Sequence, residues 1–210
     1  MMEQKEYWES VSGTKTFTTP LQKEDFLSLV GKDARILDIG CGYGRTLNEL
    51  HELGYTDLHG FDISEGMAER GRRLYPFLDL GVMEEGKISW DEESADAVIL
   101  FTVLTCIAED EKQEELVREI ERVLKPGGIL YINDFLLNND ERNLKRYENF
   151  KDRYVYGTFE LPEGALVRHH TKEHILSLVK DLETVKCEEI TFTTMNGNKS
   201  NGIYYFGRKK

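Results

Sequence analysis

Cysteine, proline and long apolar runs are all scarce in this 210-residue sequence. Its three cysteines, Cys41, Cys106 and Cys187, include no CxxC pair, which argues against a disulfide framework and against a cysteine-rich zinc site. We therefore expect reduced thiols and a cytoplasmic location. No run of about 18 apolar residues occurs, and the first ten residues contain no apolar segment, so we expect neither a membrane span nor a secretory signal.

Positive charge is also scarce. The sequence has 27 Lys and Arg residues against 39 Asp and Glu residues, which gives a formal net charge of -12. Its short basic clusters lie at 70–73 and 208–210. Because a nucleic-acid-binding surface needs a concentrated basic stripe, this distribution predicts no nucleic-acid partner. The length fits a single domain, to which we assign residues 1–210.

Short β-like runs alternate with helical patterns over the first two thirds of the chain. Five apolar runs predict strands at 34–40, 57–63, 78–84, 95–101 and 129–134. Apolar residues at helical spacing predict helices between these runs. Strict alternation of strand and helix predicts an α/β fold, a doubly wound and mostly parallel sheet with helices on both faces.

The last third of the chain breaks this alternation. Residues 135–170 are too many for an ordinary loop, and they contain a helical pattern at 139–154 and several aromatic residues. Two β-like runs at 184–195 and 202–208 are joined by a polar turn and predict an antiparallel hairpin. The complete prediction is a seven-stranded sheet with an antiparallel C-terminal hairpin strand, a helical N-terminal segment at 1–30 and a helical, aromatic insertion after strand five.

A cluster of glycines follows the first predicted strand. Gly40, Gly42 and Gly44 lie between that strand and a helical pattern that begins at Arg45. A glycine loop at this position lets a ligand approach the backbone close to the first N–H groups of a helix, which lack partners. The phosphate-binding pattern GxxxxGK[ST] is absent, and Arg45 replaces the third glycine of the dinucleotide fingerprint GxGxxG.

The pattern that is present, D-x-G-x-G-x-G from Asp38 to Gly44, resembles motif I of the class I S-adenosylmethionine-dependent methyltransferases. Three further stretches resemble motifs of that family in the same order: GFDIS with Asp62, SADAVILFTVL, and VLKPGGILYI. The C-terminal hairpin resembles the family's inserted seventh strand. The resemblance implies S-adenosyl-L-methionine as the cofactor, S-adenosyl-L-homocysteine as its product, and in-line methyl transfer.

The same resemblance implies which residues bind the cofactor. It assigns Asp38 and the glycine loop to the methionyl part and Asp62 to the ribose hydroxyls. The adenine is expected beside Ile63, and the reactive methyl near the end of strand four. The implied set is Asp38, Gly40, Cys41, Gly42, Gly44, Asp62, Ile63, Met83, Glu84, Phe101 and Thr102. For Glu84, a plain solvated loop position explains the sequence equally well.

The catalytic residues stay open at this stage. The methyl group is already activated by its sulfonium, so the protein mainly has to hold the acceptor in line with it. The candidates are Tyr7, Trp8, Thr105, Asp134, His169 and His170. An acceptor carboxylate steered by Arg168 and the two histidines is one alternative. We expect residues 135–170 and the N-terminal aromatic pair to form a lid over the substrate, although these aromatic residues could equally be small satellite cores.

A metal site on the histidines is not expected. His170 and His174 have the i, i+4 spacing of two ligands on one helix. Thr171, however, is a favoured N-cap residue and would place His170 before the helix begins.

Motifs for the methylation of nucleic-acid bases are missing. Base-amino methyltransferases usually carry [ND]PP[YFW], and cytosine C5 enzymes use a Pro-Cys pair; the four prolines of this chain supply neither. A small molecule or a protein side chain remains, and we expect a small-molecule acceptor with an O, N or S nucleophile. The oligomeric state stays open. The alternatives are a non-catalytic S-adenosylmethionine-binding module and, disfavoured by Arg45, an NAD-dependent oxidoreductase.

Overall fold

Strands and helices are described for residues 3–195 and 197–210 of the computed structural model. The strands are β1 (Arg35–Ile39), β2 (Asp57–Asp62), β3 (Asp79–Val82), β4 (Ala95–Phe101), β5 (Leu124–Phe135), β6 (Thr158–Glu160), β7 (Leu166–Arg168), β8 (Glu183–Thr193) and β9 (Lys199–Arg208). The helices are α1 (Gln4–Val11), α2 (Lys23–Leu29), α3 (Arg45–Glu52), α4 (Glu65–Leu74), α5 (Asp110–Val123), α6 (Glu141–Phe150) and α7 (Lys172–Leu178), with a 3-10 turn at Leu104–Cys106. Met1 and Met2 of the predicted N-terminal segment, and Asn196 of the predicted hairpin turn, lie outside the described residues.

Seven of these strands form one sheet in the order β3-β2-β1-β4-β5-β9-β8. The first five strands pair in parallel, and β9 pairs antiparallel with both β5 and β8. The predicted fold class is therefore confirmed: the sheet is seven-stranded and mostly parallel, and its C-terminal hairpin is antiparallel.

Helices cover both faces of the sheet. Successive residues of a strand point to opposite faces, so β1 contributes Leu37 to one apolar core and Ile36 to the other. The Leu37 core packs against α5 and α7, and the Ile36 core packs against α2 and α3. Most residues of β4 are apolar because this strand is buried on both faces of the sheet.

The insertion after β5 consists of α6 and a separate two-stranded antiparallel sheet, β6-β7. The sequence predicts the helix but not this small sheet, since three-residue strands are too short to show a period. The insertion returns to the main body beside the end of β5, where His170 N–H donates to the Phe135 carbonyl at 3.0 Å.

None of the helices in the described ranges combines the length and apolar character needed to cross a bilayer.

Candidate active site

A cleft opens at the carboxyl ends of β1, β2 and β4, where parallel sheets commonly bind ligands. Its empty volume is about 1010 Å³, and it is open to solvent on one side. We call this cleft the first cavity. Eight residues of the predicted cofactor-binding set line it: Asp38, Gly40, Cys41, Asp62, Ile63, Met83, Phe101 and Thr102.

The glycine loop after β1 forms the floor of the first cavity. Gly40 and Gly42 have positive φ angles of +69° and +55°. A Cβ atom on Gly40 would lie 2.4 Å from Val103 Cγ2, and one on Gly42 would lie 2.3 Å from the Phe17 ring. Both conformation and space therefore require glycine at these positions. Gly42 and Gly44 support the loop but do not line the cavity.

Asp62 joins the loop after β1 to the loop after β2. Its Oδ2 accepts the N–H of Gly42 at 2.8 Å, and its Oδ1 accepts the N–H of Ser64 at 2.9 Å. Burial raises the pKa of the Asp62 carboxyl, and these backbone N–H groups oppose the shift. Because a carboxylate oxygen has two lone pairs, each oxygen can still accept a ligand hydroxyl.

Asp38 and Arg45 form the polar part of the same wall. Burial raises the pKa of the Asp38 carboxyl to about 8, while the positive charge of Arg45 lowers it. A cationic ligand beside Asp38 would favour its ionised form. Arg45 donates to the Thr19 carbonyl at 2.6 Å, and its buried Nε has no partner among the described residues. Sequence reasoning used Arg45 only against a dinucleotide site and did not place it in this cavity.

Glu84 lies away from the first cavity. Its exposed carboxylate accepts a hydrogen bond from Lys87 Nζ at 2.6 Å, and the neighbouring Glu85 and Gly86 line the cavity instead.

A second cavity, also of about 1010 Å³, adjoins the first. The two share part of their walls: Gln4, Trp8, Phe17, Thr19, Thr102 and Cys106. Thr102 stands at this junction with a φ of +54°, a left-handed conformation that costs about 1 kcal/mol or more for a non-glycine residue. Its N–H donates to the Asn133 carbonyl at 2.7 Å, which holds it there.

The second cavity brings together four of the six catalytic candidates, namely Tyr7, Trp8, Thr105 and His169. Asp134 and His170 line neither cavity. Asp134 is buried beside the 3-10 turn, and the ring of His170 stacks on His174 with 5.3 Å between centroids. Arg168 pairs with Asp110 at 2.5 Å, outside both cavities.

His170 and His174 lie on either side of the start of α7. Thr171 caps α7 by accepting the N–H of His174 at 3.0 Å, so the predicted N-cap is confirmed and His170 precedes the helix. Within 3–195 and 197–210, no group of three or more His, Cys, Asp or Glu residues is arranged to hold a metal ion.

Comparison with known proteins shows what the chain resembles. Residues 37–132 match the family model of a methyltransferase domain. The chain is 32% identical over 138 residues to carboxy-S-adenosyl-L-methionine synthase of Campylobacter fetus subsp. fetus, an alignment that covers 62% of this chain and 58% of the relative. It is 28% identical to the tRNA N(3)-cytidine methyltransferase METTL2 of Mus musculus over 48% of this chain and 28% of the relative. The chain thus spans little more than half the length of the first relative and about a quarter of the second.

Among solved structures, a SAM-dependent methyltransferase from Methanosarcina mazei superposes with a TM-score of 0.84 at 24% identity. The superposition covers 90% of this chain and 98% of that chain. The seven-stranded sheet with its antiparallel C-terminal hairpin is thus the Rossmann-like fold of that neighbour. Residues 37–132 are therefore similar to a methyltransferase domain, and the chain shares its fold with a SAM-dependent methyltransferase.

Proposed function

We propose that this protein transfers the methyl group of S-adenosyl-L-methionine, held in the first cavity, to a small molecule held in the second. The observation that carries the proposal is the shared wall at Trp8, Thr102 and Cys106. Ligands in the two cavities would meet at this wall. Holding two reactants next to each other can supply on the order of 7–11 kcal/mol towards a barrier in ideal cases.

The residues of the first cavity fit the cofactor. Asp62 would accept the ribose hydroxyls, since its oxygens keep free lone pairs, and the glycine loop leaves room for the methionyl part. Asp38 would face the cationic end of that part. Ile63 and Met83 would contact the adenine. When bound, the cofactor supplies a methyl group activated by a positively charged sulfur.

The protein's own contribution is positioning and exclusion of water. Thr102, directly after β4, and Trp8 of α1 both line the junction, and Phe101 lines the first cavity beside it. Of the catalytic candidates, we keep Tyr7, Trp8, Thr105 and His169 as residues that touch the acceptor. Burial raises the pKa of the Cys106 thiol, so this group stays protonated and acts as part of the wall.

A small-molecule acceptor is favoured over a nucleic acid. The chain has 39 Asp and Glu residues and a formal net charge of -12, which opposes binding of a polyanion. The second cavity lies between α1 and the insertion, whose residues Phe159 and Val167 line it. The similarity to a tRNA methyltransferase makes transfer to tRNA the competing outcome.

Calorimetry with S-adenosyl-L-homocysteine tests the cofactor site. We expect Asp62→Asn to weaken binding at least tenfold, because the amide offers one acceptor oxygen and turns N–H groups towards the Gly42 or Ser64 donors. Asp57→Asn is the matched control at the opposite end of β2, where Asp57 pairs with Arg35 at 3.1 Å. Negligible binding by the unaltered protein, or equal binding by both variants, would contradict the proposal.

A labelled-methyl assay tests the transfer. The protein is incubated with methyl-labelled S-adenosyl-L-methionine and either a panel of small metabolites or tRNA transcripts. Label in a small metabolite supports the proposal, and label in tRNA alone contradicts it. Cofactor binding without transfer to any acceptor would identify a non-catalytic binding module.

A further inference from the structure

One side of the second cavity is cationic. Lys15, Arg142 and Arg146 line it, and Glu163 is the one carboxylate among its described lining residues. Glu163 is already engaged, since Lys15 Nζ lies 3.4 Å from its Oε1. A chain with a net charge of -12 thus places an excess of positive charge inside one cavity, and such a local concentration favours an anionic ligand.

The two arginines lie one turn apart on α6. Arg146 donates to Asn143 Oδ1 at 3.3 Å, and its guanidinium lies 4.9 Å from the centre of the Phe159 ring. No carboxylate of the described residues lies within 4 Å of Arg146. Arg142 Nε is 3.7 Å from Asp140 Oδ1, but that carboxylate accepts its closer hydrogen bonds from Asn143. Burial, followed by the positive charge of Arg142, lowers the pKa of Arg146.

His169 adds a neutral donor to the same wall. Asn138 Oδ1 accepts the N–H of Asn201 at 2.8 Å and its Nδ2 donates to the Leu136 carbonyl at 2.9 Å, which fixes the orientation of this amide. Nδ2 also lies 3.0 Å from Ser200 Oγ and 3.3 Å from His169 Nδ1. The Tyr147 hydroxyl accepts the backbone N–H of Asn138 at 3.1 Å and lies 2.7 Å from His169 Nδ1.

Because the Tyr147 hydroxyl accepts from Asn138, its own hydrogen is assigned to His169 Nδ1, which places the ring proton of His169 on Nε2. Burial, followed by the positive charges of Arg146 and Arg142, lowers the pKa of His169 to about 3, so the ring is neutral at pH 7. Nε2 makes no hydrogen bond to another described residue. It is available to donate to a ligand oxygen.

Aromatic rings form much of the rest of this cavity: Tyr7, Trp8, Phe17, Phe135 and Phe159. Such walls suit a planar or apolar body. Aromatic walls together with a cluster of hydrogen-bond donors at one side fit a ligand that has both an apolar body and an anionic group.

We propose that the methyl acceptor is an aromatic or apolar small molecule that carries an oxyanion, and that Arg142, Arg146 and His169 bind this oxyanion. Carboxylates and phosphate esters share the chemistry that these donors recognise. The assignment rests on the proposed function, because it takes the second cavity as the acceptor site.

Trp8 provides the readout. The chain has two tryptophans, and Trp90 lies outside both cavities, so Trp90→Phe leaves Trp8 as the only tryptophan signal. This protein is first saturated with S-adenosyl-L-homocysteine and then titrated with 3-phenylpropionate, phenethyl phosphate and the neutral 3-phenylpropionamide. We expect at least one of the two anions to bind at least ten times more tightly than the neutral amide. Which anion binds more tightly shows whether the site prefers a carboxylate or a phosphate ester.

Variants in the same background assign the effect. Arg146→Gln, and independently Arg142→Gln, should weaken binding of the preferred anion about tenfold and leave binding of the amide within twofold. Arg153→Gln is the matched control, since Arg153 belongs to the same insertion but is exposed and lines neither cavity. Thermal melts establish that each variant is folded.

Three outcomes overturn the inference: the amide binds as tightly as the anions, none of the three probes binds at millimolar concentration, or both arginine variants keep the anion preference. Calorimetry with S-adenosyl-L-homocysteine distinguishes a failure of this inference from a failure of the proposed function. If S-adenosyl-L-homocysteine does not bind, the proposed function fails. If it binds and the anion preference is absent, only this inference fails.

Discussion

At the scale of single residues, the buried carboxyl of Asp134 holds two backbone segments together. Its Oδ1 accepts the N–H of Phe135 at 2.7 Å, and its Oδ2 accepts the N–H of Thr105 at 3.2 Å. Asp134 thereby joins the end of β5 to the 3-10 turn after β4. Burial outweighs these hydrogen bonds and raises the pKa of Asp134 to about 7. In the unfolded chain the ordinary pKa of an aspartate is about 3.9.

We predict that Asp134 makes the protein less stable as the pH rises from about 4 to about 7. In this interval the folded state retains a proton that the unfolded state has lost, so the free energy of unfolding falls with pH. Asp134→Asn removes this contribution. The difference in stability between variant and unaltered protein should change by at most about 1.4 kcal/mol per pH unit.

Urea unfolding at pH 5 and pH 7 measures this difference. Asp96→Asn is the control, because Lys125 and the N–H of Arg35 help to hold the pKa of Asp96 below its ordinary value. Asp96 is therefore ionised in both states at both pH values, and the effect of its substitution should not vary between them. An Asp134→Asn effect that is equally independent of pH would refute the prediction.

The limits of sequence reasoning are clearest at such positions. Asp38 and Asp62 can be located because each lies at the carboxyl end of a strand, within its last two residues, and the parallel sheet carries both to the same edge. Glu84 and Glu85 are adjacent in one loop, and which of them turns towards the cavity depends on the path of the backbone. Asp134 lies near the end of β5 and Thr105 lies in the 3-10 turn after β4, yet Asp134 is enclosed and only Thr105 lines a cavity.

At the scale of elements, α1 is attached to the body through a carboxylate. Glu9 Oε2 accepts the hydroxyl hydrogen of Ser64 at 2.6 Å, and the N–H of Gly66 lies 3.1 Å from Oε1. This places a negative charge at the N-terminus of α4, where the helix dipole favours it. α1 also reaches the insertion, since Gln4 Nε2 donates to the Leu166 carbonyl at 2.5 Å. These contacts support the proposal that Tyr7 and Trp8 of α1 and residues 135–170 form a lid.

Hydrogen exchange tests the lid. We predict that S-adenosyl-L-homocysteine slows amide exchange in α1 and in the insertion. Glu9→Gln should speed exchange in α1 and weaken binding of S-adenosyl-L-homocysteine about twofold to fivefold, a small effect because Glu9 is largely exposed to solvent.

Glu6→Gln is the control for this experiment, since Glu6 is exposed on the same helix. It should leave both exchange and binding unchanged. Equal protection of both segments with and without ligand would count against a lid and would favour satellite cores.

Elements differ in how far the sequence determines them. The helical period over 139–154 predicts α6 because its pattern is local. The docking of α1 depends on Glu9 meeting Ser64, 55 positions away, and no local pattern contains that information. The strands β6 and β7 depend in the same way on each other, since neither is long enough to be stable or recognisable alone.

At the scale of the whole molecule, β9 connects the C-terminal hairpin to the parallel part of the sheet. Phe206 is fully buried, and its ring stacks on Tyr131 of β5 with 4.0 Å between centroids. The Tyr131 hydroxyl accepts the N–H of Gln22 at 2.8 Å, just before α2. Residues from three distant parts of the chain thus share one core.

We predict that Phe206→Ala lowers the free energy of unfolding by about 3–5 kcal/mol, because it removes a large buried ring and leaves a cavity. Phe77→Ala, at a position where half of the side chain is exposed, should cost much less. Urea unfolding of both variants compares them. A loss below about 1 kcal/mol for Phe206→Ala would show that the hairpin is not part of the common core.

The alternation of strands and helices predicts a parallel sheet, but the order of its strands is a property of the whole chain. Leu37 and Ile36 could be assigned to opposite faces from their adjacency alone. That β1 lies between β2 and β4 follows from crossover connections, which residue periodicity does not encode. The resemblance to a known family supplied this information indirectly, through motifs that keep their sequence order.

Gln4, Trp8, Phe17 and Thr19 belong to both cavities. Together with Thr102 and Cys106, these side chains would contact a ligand in either cavity. We therefore expect binding in one cavity to change the affinity of the other, by the same factor in both directions.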